Sequence, residues 1–358
     1  MMDFIKGMDI SMLKEVEDLG GKFYDDGIEL DVFQILKKYS INAIRLRLWH
    51  DPFDWALNPY GGGGNDFNTT VELAERIIKH KMSFVLNIHY SDFWTDPGKQ
   101  IKPKAWEKLS GIELENKVYS YTRNILRNLK MRGLMPDMVQ VGNELTNGFL
   151  WPDGKISNHR AMMSLLKKGI SAVKDVSNDI KIIIHLDNGC DNAMYRDWFD
   201  KAQNEGVDYD IIGLSYYPYW NGTLDELEDN MNDISDRYGK NVIVVETAYG
   251  FTTETHPNAN MIFSKELADM TAFEPTRLGQ SMFMTQLMNR IRNVKNQRGK
   301  GFFYWEPAWL PVEGSTWSTI EGRKYIGDVS EGGNSWANQA LFDFNGNALP
   351  ALKSIRDF

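Results

Sequence analysis

The alternation of short apolar runs with amphipathic stretches constrains the fold of this chain more than any other feature of its sequence. Apolar, β-branched runs predict eight strands, at residues 4–10, 43–49, 84–90, 138–144, 182–188, 211–217, 241–249 and 301–306. Between them, apolar residues recur at helical spacing, as at 224–238 and 283–294. Eight strand–helix alternations indicate a parallel sheet, and eight is the number that closes into a barrel. The sequence therefore predicts a (β/α)8 TIM barrel.

The chain has 358 residues, but no Pro/Ser-rich linker or change in composition divides it. Because α/β barrels routinely exceed 250 residues as one domain, we predict a single domain over residues 1–358. The segments at 50–68, 91–112, 250–274 and 307–336 are long and rich in Gly, Pro, Trp and Asp. In a barrel such βα loops form the rim where active sites are built, so we expect an open substrate groove there.

Charge and hydropathy exclude several classes of partner. The 40 Lys and Arg residues are outnumbered by 49 Asp and Glu, the net charge is −9, and basic residues form no run. This balance argues against binding to nucleic acid or to an anionic membrane surface. The unbroken apolar runs, such as 242–245, are far too short for a membrane span. Cys190 is the single cysteine, so the chain forms no internal disulfide.

Two glutamates close two of the apolar strands, and they are the strongest chemical signal. Glu144 follows Asn143 at the end of the fourth predicted strand, and Glu246 lies near the end of the seventh. A retaining glycosidase needs such a pair, one residue as acid/base and one as nucleophile, about 5 Å apart; an inverting enzyme needs roughly 6.5–9.5 Å. Either glutamate alone is equally well explained as a cap or an ion-pair partner of a neighbouring loop.

Further polar and aromatic residues stand at strand ends, where a packed core would not favour them. Arg45 and Arg47 share one face of the second strand by their period-2 spacing. A cation beside the nucleophile would favour its ionised form, although an ion pair inside the lower barrel explains one of the two equally well. His89, Tyr217 and Trp305 close other strands. Singly each fits a structural role, and their convergence on one rim favours a functional one.

Tryptophans in the rim loops suggest a sugar-binding groove. Trp94, Trp151, Trp309 and Trp317 lie outside the predicted strands. Indole stacks on the apolar face of a pyranose ring, while neighbouring polar groups bind hydroxyls. Any one of them is equally well explained as a loop anchor, but several together favour a groove for a polymer over a closed pocket.

Other catalytic motifs fail. The run 61–64 contains four glycines but lacks the Gly-Lys-Ser/Thr of a phosphate loop. The sequence has no His-x-His or His-Glu-x-x-His metal motif and no Gly-x-Ser-x-Gly nucleophile elbow. The metal-hydrolase and serine-hydrolase readings therefore have no residues to support them.

The chain resembles glycoside hydrolase family 53, the arabinogalactan endo-β-1,4-galactanases, within the large clan of retaining (β/α)8 barrels. The matching stretches keep the family's order over nearly the whole chain, at 4–11, 44–49, 58–63, 89–100, 141–144, 215–220 and 245–249. Within the stretch at 89–100, the run at 89–97, which reads HYSDFWTDP, is specific to the family. The Asn-Glu pair at 143–144 marks only the clan.

The resemblance implies roles for individual residues. Glu144 corresponds to the acid/base and Glu246 to the nucleophile, and Asn143 to the residue that binds the sugar's 2-hydroxyl. Further positions match residues that line the subsite at the cleaved bond, namely Asp9, Arg45, His89, Tyr217 and Trp305. Trp94 and Trp317 match positions along the groove.

One departure concerns calcium. Some bacterial members bind calcium through an Asp-Gly-Asp-Gly-His-x-Asn stretch after the seventh strand. Here residues 253–258 keep the His and the Asn but lack both aspartates. Because Ca²⁺ prefers an oxygen-rich ligand set, we expect no cofactor, and no calcium site or a much weaker one.

Taken with the resemblance, the sequence predicts an endo-acting retaining hydrolase of β-1,4-galactan, a side chain of pectin, that binds polysaccharide or oligosaccharide. We expect a monomer that is secreted, periplasmic or at the cell surface, with its signal segment absent from this sequence. Another endo-glycanase of the clan, of the mannanase or xylanase type, would keep the barrel and both glutamates. A non-catalytic glycan-binding barrel would not need the pair. A barrel enzyme for a phosphorylated metabolite would need a phosphate loop, for which the Gly-Gly at 332–333 is a weak candidate.

Overall fold

A computed structural model describes residues 3–259 and 261–358. Eight parallel strands form a closed barrel in which each strand pairs with the next and the eighth pairs with the first. The strands are β1 Ile5–Asp9, β2 Ala43–Leu48, β3 Ser83–Ile88, β4 Met138–Val141, β5 Lys181–Leu186, β6 Ile211–Ser215, β7 Asn241–Thr247 and β8 Gly299–Trp305. Each overlaps one of the predicted strands, and the predicted (β/α)8 barrel is confirmed.

One long or medium helix follows each strand and covers the outside of the barrel. These helices are Val32–Lys38, Phe67–Lys79, Gly111–Met131, His159–Val176, Asn192–Asn204, Leu224–Tyr238, Arg277–Arg292 and Pro350–Asp357. Shorter helices lie at Leu13–Asp18, Pro218–Asn221, Lys265–Ala268 and Ile320–Ile326. Two small hairpins pair Phe23–Asp25 with Ile28–Leu30 and Gly148–Phe149 with Gly154–Lys155.

The helix Leu224–Tyr238 shows how the local sequence sets these boundaries. Thr223 and Glu226 form a capping box at its start, so two backbone donors of the first turn are satisfied. The helix ends at Gly239, whose φ of 66° is in the left-handed region that glycine enters without strain. Its apolar face was predicted from the spacing at 224–238, and Leu227, Met231 and Ile234 are fully buried.

The side chains that point into the barrel form an apolar layer at one end and a polar layer at the other. One set points inward and forms the floor of the barrel, a cluster of Ile5, Ala43, Val85, Met138, Ile183, Ile211, Ile243, Val245 and Phe303. Residues of the same parity further along the strands include Asp9, Arg45, Asn87, Gln140 and His185. The inside of the barrel is therefore apolar at its lower end and polar at the carboxyl ends of the strands, where a site is built.

The long rim loops contact one another above the polar layer. The backbone N–H of Gly62 donates to the carbonyl of Thr316 over 2.9 Å, and Trp94 Nε1 donates to the carbonyl of Trp317 over 2.9 Å. These bonds join the loops that follow β2, β3 and β8 into one wall. Throughout residues 3–259 and 261–358, no helix is both long and apolar enough to cross a membrane.

Candidate active site

The carboxyl ends of the strands open into a groove of about 520 Å³. It brings together all of the site residues predicted from the sequence, which are Asp9, Arg45, His89, Trp94, Asn143, Glu144, Tyr217, Glu246, Trp305 and Trp317. Their shared location follows from the fold, because all but Arg45 lie near the carboxyl end of a strand or in the loop that follows it, and Arg45 lies within β2.

Glu246 reaches the groove through an irregularity in β7. Strict alternation would place Ile243, Val245 and Thr247 inside the barrel and Glu246 outside. The register between β6 and β7 shifts by one residue, so that Ser215 lies opposite Glu246 after Leu214 has lain opposite Val244. Such a bulge re-aims a side chain, and bulges are common beside active sites. The bulge thus turns this carboxylate toward the groove.

The hydrogen-bond partners of Glu246 favour its ionised form and act against the effect of burial. Arg45 Nη2 donates to Oε1 over 2.9 Å, and the Tyr217 hydroxyl donates to Oε2 over 3.2 Å. Arg45 is itself held by Asp9, whose Oδ2 accepts from Nη1 over 2.7 Å. Burial raises the pKa of Glu246, and the cation of Arg45 acts against that rise. The result is an oriented carboxylate beside a buried cation.

Glu144 has the opposite surroundings. Its hydrogen-bond donor is a neutral hydroxyl, Ser215 Oγ, at 2.7 Å from Oε1. Burial raises the pKa of Glu144 well above its usual range, and the carboxylates of Glu246 and Asp187 raise it further. Two carboxyl groups with such different neighbours have different pKa values. The site can therefore hold Glu144 protonated while Glu246 is ionised.

The backbone at Glu144 is strained, with φ 48° and ψ 63° in the left-handed region. Gly142, two residues earlier, has φ 80°. Gln100 Nε2 supports this turn by donating to the carbonyl of Asn143 over 2.8 Å and to that of Glu144 over 3.3 Å. This left-handed turn directs the side chains of Asn143 and Glu144 into the groove.

Amide side chains form a connected layer below the two glutamates. Asn143 Nδ2 donates to the carbonyl of Thr95 over 2.9 Å, and its Oδ1 accepts from Asn87 Nδ2 over 3.0 Å. His89 lies beside them, with Nδ1 2.9 Å from Thr95 Oγ1. Burial, followed by the cations of Arg47 and Arg45, lowers the pKa of His89 well below its usual value. His89 is therefore neutral in the site.

Arg47 and Glu306 form a second buried pair that the sequence did not single out as a pair. Arg47 Nη1 contacts Glu306 Oε1, and both oxygens of Glu306 lie 3.2 Å from the backbone N–H of Met12. Both arginines are thus paired with carboxylates, and Arg47 is the one whose glutamate is neither Glu144 nor Glu246. Its ion pair lies at the carboxyl ends of the strands, not in the lower barrel. The available signal was that Glu306 is a third glutamate directly after a strand.

Aromatic side chains line both walls of the groove. Trp94 and Trp317 form one wall, as predicted, and the guanidinium of Arg47 lies 4.3 Å from the ring centre of Trp94. Trp220 and Trp336 contribute to the lining together with Tyr217, and sequence reasoning had not proposed either tryptophan as a binding residue. For Trp220 the available signal was its place in the family-matching stretch 215–220, and for Trp336 only its aromatic character in a rim loop.

Two of the rim tryptophans serve the loops themselves. Trp309 is buried, with Nε1 donating to Ser315 Oγ over 2.9 Å, so it anchors its loop although its edge touches the groove. Trp151 lies outside the groove lining, and its Nε1 is 3.2 Å from the carbonyl of Asn147. Trp151 therefore has the role of a loop anchor, which the sequence left open for any one of the rim tryptophans.

The segment that corresponds to the calcium loop does not present a calcium ligand set. The ring of His256 packs against Phe344 with centroids 5.4 Å apart, and its Nδ1 accepts from the backbone N–H of Asn258 over 3.3 Å. Across residues 3–259 and 261–358, no group of three or more His, Cys, Asp or Glu side chains is arranged to hold a metal ion. Residues 253–258 thus offer a single carboxylate, that of Glu254, where Ca²⁺ prefers an oxygen-rich ligand set.

Comparison with known proteins places this barrel among characterised families. The sequence model of glycosyl hydrolase family 53 matches residues 5–355. The chain belongs to glycosyl hydrolase family 53. Membership confirms the family expected from the sequence motifs, and with it a glycoside-hydrolysing enzyme that takes a glycan substrate.

Relatives of this family 53 hydrolase include proteins with assigned activities. It is 35% identical to the endo-beta-1,4-galactanase of Bacillus subtilis (strain 168), over 98% of the chain and 85% of the relative. The structure of an Ignisphaera aggregans GH53 catalytic domain superposes with a TM-score of 0.92 at 42% identity, covering 99% of this chain and 96% of that one. A fungal beta-1,4-galactanase structure gives 0.82 at 28% identity, with both chains fully covered.

Proposed function

We propose that this family 53 hydrolase is an endo-β-1,4-galactanase that cleaves galactan with net retention, with Glu144 as acid/base and Glu246 as nucleophile. The observation that carries the proposal is the contrast between the two carboxyl groups. Glu246 accepts hydrogen bonds from Arg45 and Tyr217, whereas Glu144 meets a hydroxyl and other carboxylates. The galactanase names of full-length relatives support the choice of substrate.

The first step forms a glycosyl-enzyme. The Oε atom of Glu246 attacks the anomeric carbon while the bond from that carbon to the leaving oxygen breaks, and Glu144 gives its proton to that oxygen. Arg45 keeps the attacking carboxylate ionised until the bond forms. Asn143, fixed by Thr95 and Asn87, offers its amide to the 2-hydroxyl, a hydrogen bond that strengthens in the transition state.

The second step releases the sugar. Glu144, now ionised, takes a proton from water, and the hydroxide oxygen bonds to the anomeric carbon as the bond to Glu246 breaks. The carboxylate of Glu246 returns to its contacts with Arg45 and Tyr217. Two inversions at one carbon give net retention of configuration.

A panel of polysaccharides tests the substrate and the mechanism together. We expect reducing sugar to be released from β-1,4-galactan well before mannan or xylan, with products of mixed length. Proton NMR at early times should show the β-anomer. Glu144→Gln serves as the matched negative control because it keeps the shape of the side chain. Preferential cleavage of mannan or xylan would replace galactan with another clan substrate. Galactan binding without any product would support the non-catalytic barrel, and an α-anomer would exclude retention.

We propose further that the chain needs no calcium, since residues 253–258 do not supply the oxygen ligands. The melting temperature and galactanase activity should be the same in EDTA and in millimolar calcium. A calcium-dependent rise in melting temperature, abolished by Glu254→Gln, would contradict this proposal. The matched control is Glu321→Gln on another rim segment.

The place of action follows from the substrate. We propose a secreted, periplasmic or cell-surface monomer, because a pectin side chain lies outside the cell. Fractionation of the source cells and sedimentation of the purified protein test the two parts of this proposal separately. Activity confined to the cytoplasm, or a sedimentation coefficient of a dimer, would contradict the respective part.

A further inference from the structure

A chain of hydrogen bonds runs under the site from Arg45 to Glu144, and its direction can be worked out from the chemistry of each member. It begins at Gln140. Arg45 has only donors, and its Nε and Nη2 lie 3.2 Å and 3.1 Å from Gln140 Oε1. The amide of Gln140 is therefore oriented with its oxygen toward Arg45. Its Nε2 then lies 3.1 Å from His185 Nδ1.

This contact selects the tautomer of His185. The Gln140 amino group also has Asn87 Oδ1 at 2.8 Å and the carbonyl of Gly142 at 3.0 Å. A proton on Nδ1 of His185 would point at this amino group, donor against donor. Nδ1 also lies 3.3 Å from Asn143 Oδ1. That oxygen already accepts from Asn87 Nδ2 over 3.0 Å and has Arg45 Nη2 at 3.2 Å, and the contact with Nδ1 is the longest of the three. The shorter contact with the Gln140 amino group and the donors already on Asn143 Oδ1 favour Nδ1 as an acceptor.

The remaining imidazole proton must then lie on Nε2. His185 is fully buried, and burial, followed by the cation of Arg45, lowers its pKa well below the usual value, so the ring carries one proton. Nε2 lies 2.8 Å from Ser215 Oγ and donates to it. Ser215 is buried at the end of β6, and its own proton is directed to Glu144 Oε1, 2.7 Å away.

We propose that His185 and Ser215 are positioning residues for the acid/base: by occupying Oε1 of Glu144 with a donated hydrogen bond, they confine the catalytic proton to Oε2. This inference rests on the proposed function, in which Glu144 protonates the leaving oxygen. Oε2 delivers the proton in the first step and accepts the water proton in the second, and the bond from Ser215 to Oε1 persists through both. Arg45, which also binds Glu246, orients the first member of the chain.

The hydrogen bond from Ser215 also acts on the acidity of Glu144. It lowers the pKa of Glu144, against burial and against the nearby carboxylates of Glu246 on β7, Asp187 after β5 and Asp96 after β3. The hydroxyls of Tyr195 and Tyr217 also lie close enough to sense the charge of Glu144. None of these five groups is changed in a variant of Ser215 or His185. A shift in the titration of Glu144 in such a variant therefore reports on the chain itself.

Ser215→Ala is the first test. It should lower kcat on galactan about tenfold, since general acid catalysis as a whole contributes roughly 10²- to 10⁴-fold. The alkaline limb of kcat/KM should move up by roughly one pH unit, because a hydrogen bond to the carboxylate is lost. With an aryl β-galactobioside whose leaving group needs no protonation, such as dinitrophenolate, the burst of aryl release should keep its wild-type rate. Equal losses on both substrates with an unmoved alkaline limb would mean a structural role and overturn the proposal.

His185 variants keep the proposal testable even where Ser215→Ala does not fold. His185→Gln supplies an amide N–H near the position of Nε2 and should stay within about threefold of wild type, whereas His185→Leu should move toward the Ser215→Ala profile. Thr247→Val is the matched control, because this buried threonine is also at a strand end and its hydroxyl has no hydrogen-bond partner within the described part of the chain. Identical profiles for His185→Gln and His185→Leu would refute a role for the donor.

Two NMR measurements do not depend on galactan cleavage. In ¹⁵N spectra of the six histidines, the resonance lost in His185→Gln should show the Nε2–H tautomer in the wild type. In protein labelled with ¹³C at the glutamate carboxyl, the resonance lost in Glu144→Gln should titrate at higher pH in Ser215→Ala. An Nδ1–H tautomer, or an unmoved titration, overturns the inference. Failure to cleave galactan, with the expected tautomer and titration, overturns only the proposed substrate.

Discussion

Strand β2 carries two arginines, Arg45 and Arg47, and each forms a buried ion pair with a glutamate near the end of another strand. Arg45 binds Glu246 in β7, and Arg47 binds Glu306 directly after β8. Asp9 lies between the two arginines, 2.7 Å from Arg45 and 3.7 Å from Arg47. Charges of alternating sign therefore run across the rim from one glutamate to the other.

The two pairs differ in what else their glutamates touch. Glu246 is 7% exposed, lines the groove and accepts a hydrogen bond from Tyr217. Glu306 is 0% exposed, and its oxygens face the backbone N–H of Met12. A buried, charge-paired glutamate at a strand end is therefore not by itself a reaction centre. Access to the groove separates the carboxylate that can attack a sugar from the one that joins strands and loops.

The largest expected effect is a difference in kcat between variants of Glu246 and Glu306. Glu246→Gln should lower kcat on galactan roughly 10⁴-fold or more, as removal of a covalent nucleophile does in other hydrolases, with an unchanged circular dichroism spectrum. Glu306→Gln is the matched control and should keep kcat within about tenfold, because its carboxylate does not reach the sugar. Comparable losses of kcat in both folded variants would show that access to the groove does not distinguish the pairs.

The loss of stability should be larger in Glu306→Gln than in Glu246→Gln, which is the opposite of the order expected for kcat. Glu306→Gln leaves Arg47 with only the more distant carboxylate of Asp9, 3.7 Å away, which costs about 3 kcal/mol of the free energy of unfolding. Glu246→Gln leaves Arg45 still paired with Asp9, so its cost should be smaller. Urea denaturation followed by fluorescence measures both. An equal or larger loss in Glu246→Gln would contradict the assignment of the structural pair to Arg47.

The barrel was predictable because it depends on patterns that are local in the sequence. Each strand is a short apolar run and each covering helix has its own amphipathic spacing, so eight alternations define the fold without any long-range information. Arg45 and Arg47 were predictable for the same reason, because period-2 spacing places both on one face of β2, whereas Asp9 was predicted only through the family resemblance. Their neighbours in the barrel follow once the strand order is known.

What the sequence did not reveal depends on geometry that breaks these patterns. Alternation alone would point Glu246 away from the groove, and the bulge opposite Ser215 reverses this. The left-handed backbone of Glu144 is likewise not encoded by a glycine. The pairing of Arg47 with Glu306 joins residues 259 positions apart, and either arginine fitted either role by spacing. Trp220 and Trp336 become groove residues only through the folding of two distant loops.

A smaller loss of turnover is expected when the Tyr217 hydroxyl is removed. This hydroxyl donates to Glu246 and has no counterpart beside Glu306. Tyr217→Phe removes a donor to the carboxylate, and a hydrogen bond to a charged group contributes about 1.5–3 kcal/mol, so kcat should fall roughly 10- to 100-fold. The lost bond had lowered the pKa of Glu246, so this pKa rises in the variant. Because the nucleophile must be ionised, the acid limb of kcat/KM should move to higher pH. Tyr216→Phe is the matched control, since that hydroxyl donates to the carbonyl of Gly222. An acid limb that stays in place would show that Tyr217 does not act on Glu246.

The smallest expected effect concerns substrate binding at the Trp94 wall of the groove. It tests whether the pair of Arg47 and Glu306 supports this wall. The guanidinium of Arg47 lies against the ring of Trp94, whose Nε1 is held by the carbonyl of Trp317. Trp94→Ala removes one stacking surface, worth about 0.5–1.5 kcal/mol, so KM for galactan should rise up to about tenfold with kcat retained. Trp55→Ala, at an exposed indole outside the groove, is the matched control. If Arg47 supports the Trp94 wall, Glu306→Gln should raise KM in the same direction and by less. An unchanged KM in Glu306→Gln would show that the pair of Arg47 and Glu306 stabilises the fold without affecting substrate binding. Of the two arginines of β2, only Arg45 would then act in catalysis.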